Sequence, residues 1–315
     1  MNEFDIIARF FQRDMSSAAD VTLGIGDDAA VVRVPEGQEL ILAMDTLVEA
    51  VHFPLNTAAA DIGWKALAVN LSDLAAMGAV PRWLTLSLTL PEVDEQWLEN
   101  FSSGFFELAS QYDALLIGGD LCRGPLAVTV QAHGLAAAGQ AIMRSGARPG
   151  DLVYVSGTLG DAGYALTAMA AVADKEYFLR RLNRPQPRVA VGRVLRGLAC
   201  SAIDISDGLA GDLQHILDAS RCGARIDVDK LPVSPALAQV TDSTEACRLA
   251  LTAGDDYELC FTVAASRAAE VDKLAAETGV PLTVIGEIVP ETTLKWLTPA
   301  GELTGYRAFE HFSGH

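Results

Sequence analysis

Apolar positions along this chain fall into short runs of two kinds. Segments 83–90 and 126–133 alternate apolar and polar residues, which predicts half-buried strands. Aliphatic or β-branched runs at 29–34, 40–44, 114–117, 152–155, 202–205, 257–263 and 282–285 predict further strands. Segments 3–11, 61–77, 94–112, 161–172, 188–199, 208–219 and 265–278 read as helices. The second of these is rich in Ala and Leu and long enough to be buried, and the third opens on an acidic cap, Asp94. Strands and helices mix in both halves without strict alternation, which predicts an α+β fold. Segment 144–151 concentrates glycine, proline and charge between two periodic regions, so two domains are expected, 1–147 and 148–315.

Composition narrows the function classes. The chain has 315 residues, half of them hydrophobic, and a formal net charge of −18. Such a surface repels nucleic acid and anionic lipid, so neither is expected as a partner. The longest apolar runs fall well short of the roughly 20 residues that span a bilayer, so no membrane partner is expected either. Five cysteines are widely spaced with no C-x-x-C pair, which argues against a disulfide framework or zinc site and for a reducing, cytoplasmic setting. The first residues lack the basic segment of a signal peptide.

What composition leaves unexplained is a recurring placement of acids beside glycine in loops. Gly24-Ile25-Gly26-Asp27-Asp28 is followed by Asp45-Thr46, Asn70-Leu71-Ser72-Asp73, Gly118-Gly119-Asp120, Asp204-Ile205-Ser206-Asp207-Gly208 and Gly254-Asp255-Asp256-Tyr257-Glu258. Converging carboxylates repel unless cations join them. Mg²⁺ characteristically takes one or two carboxylates together with substrate phosphates. The first motif matches a dinucleotide fingerprint by letter, but a strand-like run follows it instead of a helix, so that reading is rejected. No P-loop and no protein-kinase signature is present, so any phosphoryl chemistry must lean on metal ions. Spacing alone leaves Asp27 and Asp28 equal as ligands. Asn70 and Asp73 share one helix face at i and i+3. Gly118 and Gly119 allow close backbone approach to a ligand. Ser206 and Asp207 are expected at a helix N-terminus, where backbone N–H groups suit phosphate and carboxylates suit Mg²⁺. Trp64, Trp83, Trp97 and Trp296 are read as core residues, and Ser206 with His215 makes no credible hydrolase pair.

The ordered set of motifs resembles the thiamine-monophosphate kinase family, within the superfamily that includes aminoimidazole ribonucleotide synthetase. The carriers are Gly24–Asp28, Asp45–Glu49 with His52-Phe53, the helix from Lys65 to Ala79, Gly118–Asp120, Arg144–Ala147, Ser206–Leu209 and Asp255–Leu259. The resemblance implies two α+β domains: an N-terminal dimerising domain with a mixed sheet that binds ATP and Mg²⁺, and a C-terminal α/β sandwich that completes the ATP and substrate site. It implies ATP-dependent phosphorylation of thiamine monophosphate to thiamine diphosphate by a homodimer. By position it implies Mg²⁺ ligation by Asp28, Asp45, Asp73, Asp120, Asp204 and Asp207. Gly119, Asp120, Arg144 and Ser206 would contact ATP; His52, Asp255 and Phe309 would contact the thiamine phosphate; Asp207 and Arg144 would be catalytic. Two positions depart from the family pattern. Ala43-Met44 stand where Ser-Thr precedes the Asp, and Asp255 stands where Glu is usual.

A phosphate acceptor is already anionic near neutral pH, so positioning and charge neutralisation are expected to suffice without a strong base. The rival expectations are another ATP-using member of the superfamily, such as a ribonucleotide cyclase, and a non-catalytic binder of divalent metal or nucleotide.

Overall fold

The computed structural model describes residues 1–15, 18–167, 175–298 and 301–303. The chain divides into two compact units, Met1–Leu74 with Ala79–Gly139, and Ala75–Gly78 with Gln140–His315.

The first unit opens with α1 (Glu3–Ile6), held by a reciprocal cap between Asn2 and Asp5, and runs on as a π-helical turn, Ile7–Phe11. A small ribbon, β1 (Val21–Leu23) with β2 (Val31–Val32), precedes β3 (Gln38–Val48), α2 (Ala59–Ala76), β4 (Val80–Leu90), α3 (Glu95–Gln111), β5 (Leu115–Arg123) and β6 (Ala127–Ala137). Four of these strands form a sheet in the order β3-β6-β4-β5, with β4–β5 parallel and the other pairs antiparallel. Alternation sets its two faces. Leu84, Leu88, Val128, Val130 and Ala132 are fully buried. The helix α2, apolar on nearly every side, is itself buried along almost its whole length, as its composition requires. On the other face Thr46, Thr129, Ser87 and Asp120 stand in one polar row across all four strands, beside an apolar cluster of Trp83, Ile117 and Leu135.

Asp120 reaches that face through a bulge. Leu84 pairs with Leu116 but Thr85 pairs with Gly118, so Ile117 is an extra residue in β5. The insertion reverses the alternation: Leu116 lies on the buried side, and Asp120, four residues on, lies on the polar one.

The second unit contains β7 (Asp151–Ser156), α4 (Asp161–Thr167), α5 (Lys175–Asn183), α6 (Val189–Leu195), β8 (Ser201–Asp204), α7 (Leu209–Ser220), β9 (Gly223–Asp227), α8 (Pro235–Val240), α9 (Ser243–Thr252), β10 (Leu259–Ala264), α10 (Ala268–Thr278), β11 (Leu282–Val289), β12 (Leu294–Thr298) and β13 (Gly301–Leu303). Its sheet runs β13-β12-β9-β11-β7-β10-β8, antiparallel except for β12–β9. Leu209, Leu213, Ile216 and Leu217 of α7 pack on Val153, Val155, Ile203, Ile226, Cys260 and Ile285 in one apolar core. A satellite core joins α4, α5, α8 and α9 through Phe178, Leu182, Leu237 and Leu249. Both sheets are mixed, and the fold is α+β as expected.

Several local expectations need correcting. The strand expected at 29–34 shrinks to two residues, and the one expected at 257–263 starts at Leu259, because Tyr257 has a left-handed backbone (φ 50°). The pattern missed α5, α8, α9, β9, β12 and β13. Trp64, Trp83 and Trp296 are buried, whereas Trp97 is half-buried and stacks on Phe101 at 5.1 Å. Among the described residues no helix is long and apolar enough to cross a membrane.

Candidate functional site

In the first unit the acidic glycine loop and the end of β5 line one cavity of about 600 Å³, together with the N-terminal helical segment. Asp27, Asp28, Gly119 and Asp120 all border it, and Phe4, Ile7 and Phe11 supply apolar wall. The segment is anchored from behind: Phe10 and Phe11 are buried, Phe11 meets Phe101 of α3 edge-on, and Arg9 pairs with Glu95. Asp27 Oδ1 accepts the Asp28 N–H at 2.9 Å, which shapes the turn. Among the described residues, no Lys or Arg pairs with Asp27, Asp28 or Asp120. A cavity edged with hard oxygen donors and lacking a protein cation fits Mg²⁺ with a polyphosphate.

The structure adds a second requirement for glycine at position 119. Its φ is +152°, and a Cβ there would lie 1.9 Å from the Leu86 carbonyl oxygen of β4. Its bareness serves the approach of two strands, and Gly119 also borders the cavity.

Asp45 and Asn70 meet at the edge of the same sheet. The Asn70 amide oxygen accepts the Asp45 N–H at 2.9 Å, while its Nδ2 donates to the Ala66 carbonyl oxygen at 3.0 Å. Asn70 is fully buried, and Asp73, one turn further along α2, is half-buried. His52 Nδ1 accepts the Val48 N–H at 3.0 Å, and the His52 carbonyl oxygen accepts from buried Lys65 at 3.3 Å, so both groups brace the turn after β3.

The second unit brings two acidic loops together. The Asp255 N–H donates to the Ser206 carbonyl oxygen and the Tyr257 N–H to that of Ile205, each at 2.8 Å. Their fit demands glycine at 254, where φ is +71° and a Cβ would lie 2.5 Å from the Ser206 oxygen. Asp255 itself has a left-handed backbone (φ 61°), and its Oδ1 accepts from the Tyr257 hydroxyl at 3.1 Å. Such strain persists only where the surroundings enforce it, and it clusters at functional sites.

The expectation that the Ser206 and Asp207 N–H groups await phosphate is overturned. Both donate to Oδ2 of Asp212, at 3.0 and 3.1 Å. The helix α7 begins only at Leu209, with Gly208 as its cap, so these two residues precede it. Sequence reasoning missed Asp212, because an acid in the first turn of a helix looks like an ordinary complement to the dipole. Burial, and then the nearby charges of Asp204 and Asp207, push its carboxyl up to about 8. Acids this crowded have the chemistry of a cation site. Among the described residues, though, no three His, Cys, Asp or Glu side chains gather closely enough to chelate a metal alone.

Beneath these loops lies a buried ionic network that sequence reasoning also missed. Glu258 accepts from Arg188 Nε at 2.6 Å and Nη2 at 2.5 Å, from Ser156 Oγ at 2.6 Å and from Arg181 Nη2 at 3.3 Å. Asp161 accepts from Thr158, Tyr177 and Ser234, and both Asp256 oxygens accept the Gly160 N–H. Three acids face two guanidinium groups. Burial pushes the Asp256 carboxyl well above the usual range, against the pull of Arg181 and the Gly160 N–H.

Arg144 is exposed in the segment before β7, and its backbone is tied to α7 through Ser220, whose hydroxyl donates to the Arg144 carbonyl oxygen at 3.4 Å. Phe309 lies outside the described residues.

Known proteins carry the same architecture. Residues 26–136 match the model for the N-terminal domain of AIR synthase related proteins, and residues 148–296 match the C-terminal one. The thiamine-monophosphate kinase of Escherichia coli K12 is 49% identical over 99% of this chain and 98% of its own length. The crystal structure of thiamine-monophosphate kinase from Stenotrophomonas maltophilia K279a superposes with a TM-score of 0.85 at 47% identity, covering 95% of this chain and 96% of that one. A third relative, AaThiL complexed with AMPPCP and TMP, is 28% identical with a TM-score of 0.78 and 89% coverage of each chain. Matched from end to end at this level, the chain belongs to the thiamine-monophosphate kinase family.

Proposed function

We propose that this chain transfers the γ-phosphoryl group of ATP to thiamine monophosphate, forming thiamine diphosphate by direct in-line displacement. The observation that carries this reading is the 49% identity to a thiamine-monophosphate kinase over 99% of the chain.

Asp28, Asp45, Asp73 and Asp120 of the first unit, and Asp204 and Asp207 of the second, are the carboxylates assigned to Mg²⁺. When bound, Mg²⁺ offsets the negative charge of the polyphosphate and the acceptor. Gly119, Asp120, Arg144 and Ser206 are assigned to ATP. His52, Asp255 and Phe309 are assigned to thiamine monophosphate; the Asp255 carboxylate suits its cationic ring. The acceptor phosphate oxygen is anionic near neutral pH, so no side chain needs to remove a proton from it. The residues therefore act by holding two anions in line and excluding alternatives. Arg144, exposed and without an ion-pair partner among the described residues, steadies the phosphoryl group in transfer. Ser206 contributes its hydroxyl, because its N–H is engaged by Asp212.

A homodimer is supported by the edge strand β3, which exposes Leu40, Leu42 and Met44 in succession on one face. Association through such a stripe would cover apolar surface that a monomer leaves wet. A cytoplasmic setting is supported by five free cysteines.

Ion-pair chromatography of the product tests the central claim. With ATP, Mg²⁺ and thiamine monophosphate, thiamine diphosphate should accumulate, and Asp207→Asn should lower kcat by roughly a hundredfold, the scale of losing one charge-stabilising group. ATP consumption only with a ribonucleotide substrate, or a Mg²⁺-raised Tm without any turnover, would overturn it.

A further inference from the structure

We propose that the buried Asp212 is a positioning residue, holding the Ser206–Asp207 loop directly and the Asp255 loop through Ser206, so that both present their side chains to ligands. The inference rests on the kinase reading for the names of those ligands, but its geometry stands apart from that reading.

Asp212 is 3% exposed and neighbours Asp204, which is 6% exposed. Placing one more acid beside two others in an apolar core is costly, and a leucine would satisfy the packing of α7. What the acid supplies is one oxygen accepting two consecutive backbone N–H groups that lie before the helix begins. An acid in a helix's first turn ordinarily caps its own helix; this one reaches back past Gly208 into the loop. With both amides drawn inward, the Ser206 carbonyl oxygen is left to accept the Asp255 N–H. One carboxyl thus fixes the backbone of Asp207, assigned to metal, and of Asp255, assigned to the thiamine phosphate.

Asp255→Ala should alter only the response to thiamine monophosphate, whereas Asp212→Ala should alter both substrates together. Asp212→Ala should raise KM for Mg-ATP and KM for thiamine monophosphate about tenfold each, the scale of losing one buried hydrogen bond. It should also weaken Mn²⁺ binding, read by water-proton relaxation with no substrate present. Asp212→Asn keeps an oxygen acceptor and should stay within about threefold of wild type on all three measures. Asp218→Ala, on the exposed face of the same helix, should change none of them. A folded Asp212→Ala protein with both KM values and Mn²⁺ affinity unchanged would overturn the proposal, as would an Asp212→Asn protein as impaired as the alanine variant. Should the alanine variant not fold, wild-type amide exchange decides. The Ser206 and Asp207 amides should exchange at least about a thousandfold slower than free peptide, and exchange at free-peptide rates would refute the hydrogen bonds. The Mn²⁺ and amide readouts need no turnover. If they succeed while no thiamine diphosphate forms, the kinase reading fails and the positioning role survives.

Discussion

Replacing Arg188 with alanine is the sharpest test of how the second unit holds its acidic loops. Glu258 is fully buried and receives four hydrogen bonds, two of them from Arg188. The substitution removes those two and leaves Arg181 and Ser156 to satisfy the carboxylate. Breaking one side of a buried ion pair costs about 3–5 kcal/mol. Because Arg181 remains, we expect the lower end, about 3 kcal/mol, which for a unit of this size lowers Tm by roughly 6–12 °C. Urea unfolding of the single and double variants gives the coupling. Arg188→Met with Glu258→Met removes both charges and should recover at least half of the loss, since well-packed apolar groups replace such pairs with little penalty. A loss below about 1 kcal/mol for Arg188→Ala would place the pair in the range of solvated surface bridges and refute the reasoning.

Further outcomes test other parts of the molecule. Gly119→Ala should destabilise the first unit by about 2–3 kcal/mol through its clash with the Leu86 carbonyl and its positive φ, whereas Gly118→Ala should stay within about 0.5 kcal/mol; equal urea midpoints would contradict this. Arg82 hydrogen-bonds Asp20 at 2.5 and 2.6 Å and holds its carboxyl below the usual range. The folded value is the lower one, so this contribution is complete above the unfolded pKa of about 3.9 and disappears as pH falls through the folded value. Asp20→Asn should therefore flatten the acid limb of the urea midpoint against pH, and an unchanged limb would exclude the pair as its source. Leu42→Glu combined with Met44→Glu should yield a monomer by sedimentation velocity, and an intact dimer would remove β3 from the interface.

Alternation and helical spacing located the long elements because burial there is one-sided and strong: β4, α2 and α3 lie close to their expected bounds. The edge strand β3 reads short in the sequence, since Gln38 and Glu39 face water and carry no apolar signal. Elements such as α8 and β9 are stabilised by their neighbours more than by their own pattern. The candidate acids were legible as a recurrent type beside glycine. Their supports were not, because a supporting acid looks like any other until its partners are known. Asp212 and Glu258 acquire meaning only from amides and guanidinium groups brought to them by folding. Gly119 shows the converse: its type was noticed, but only the strand beside it reveals what the missing side chain makes room for.

The extra residue in β5 means that segment length, as much as residue identity, encodes which way Asp120 emerges. With Ile117 drawn into the ladder, Asp120 would stand opposite Leu88 and its carboxylate would turn into the oily layer, leaving the sheet intact but disarmed. A single-codon insertion between Ile117 and Asp120, taken up by the ladder, would turn the carboxylate the same way, so homologues aligned across this stretch must be compared by ladder register and not by letters.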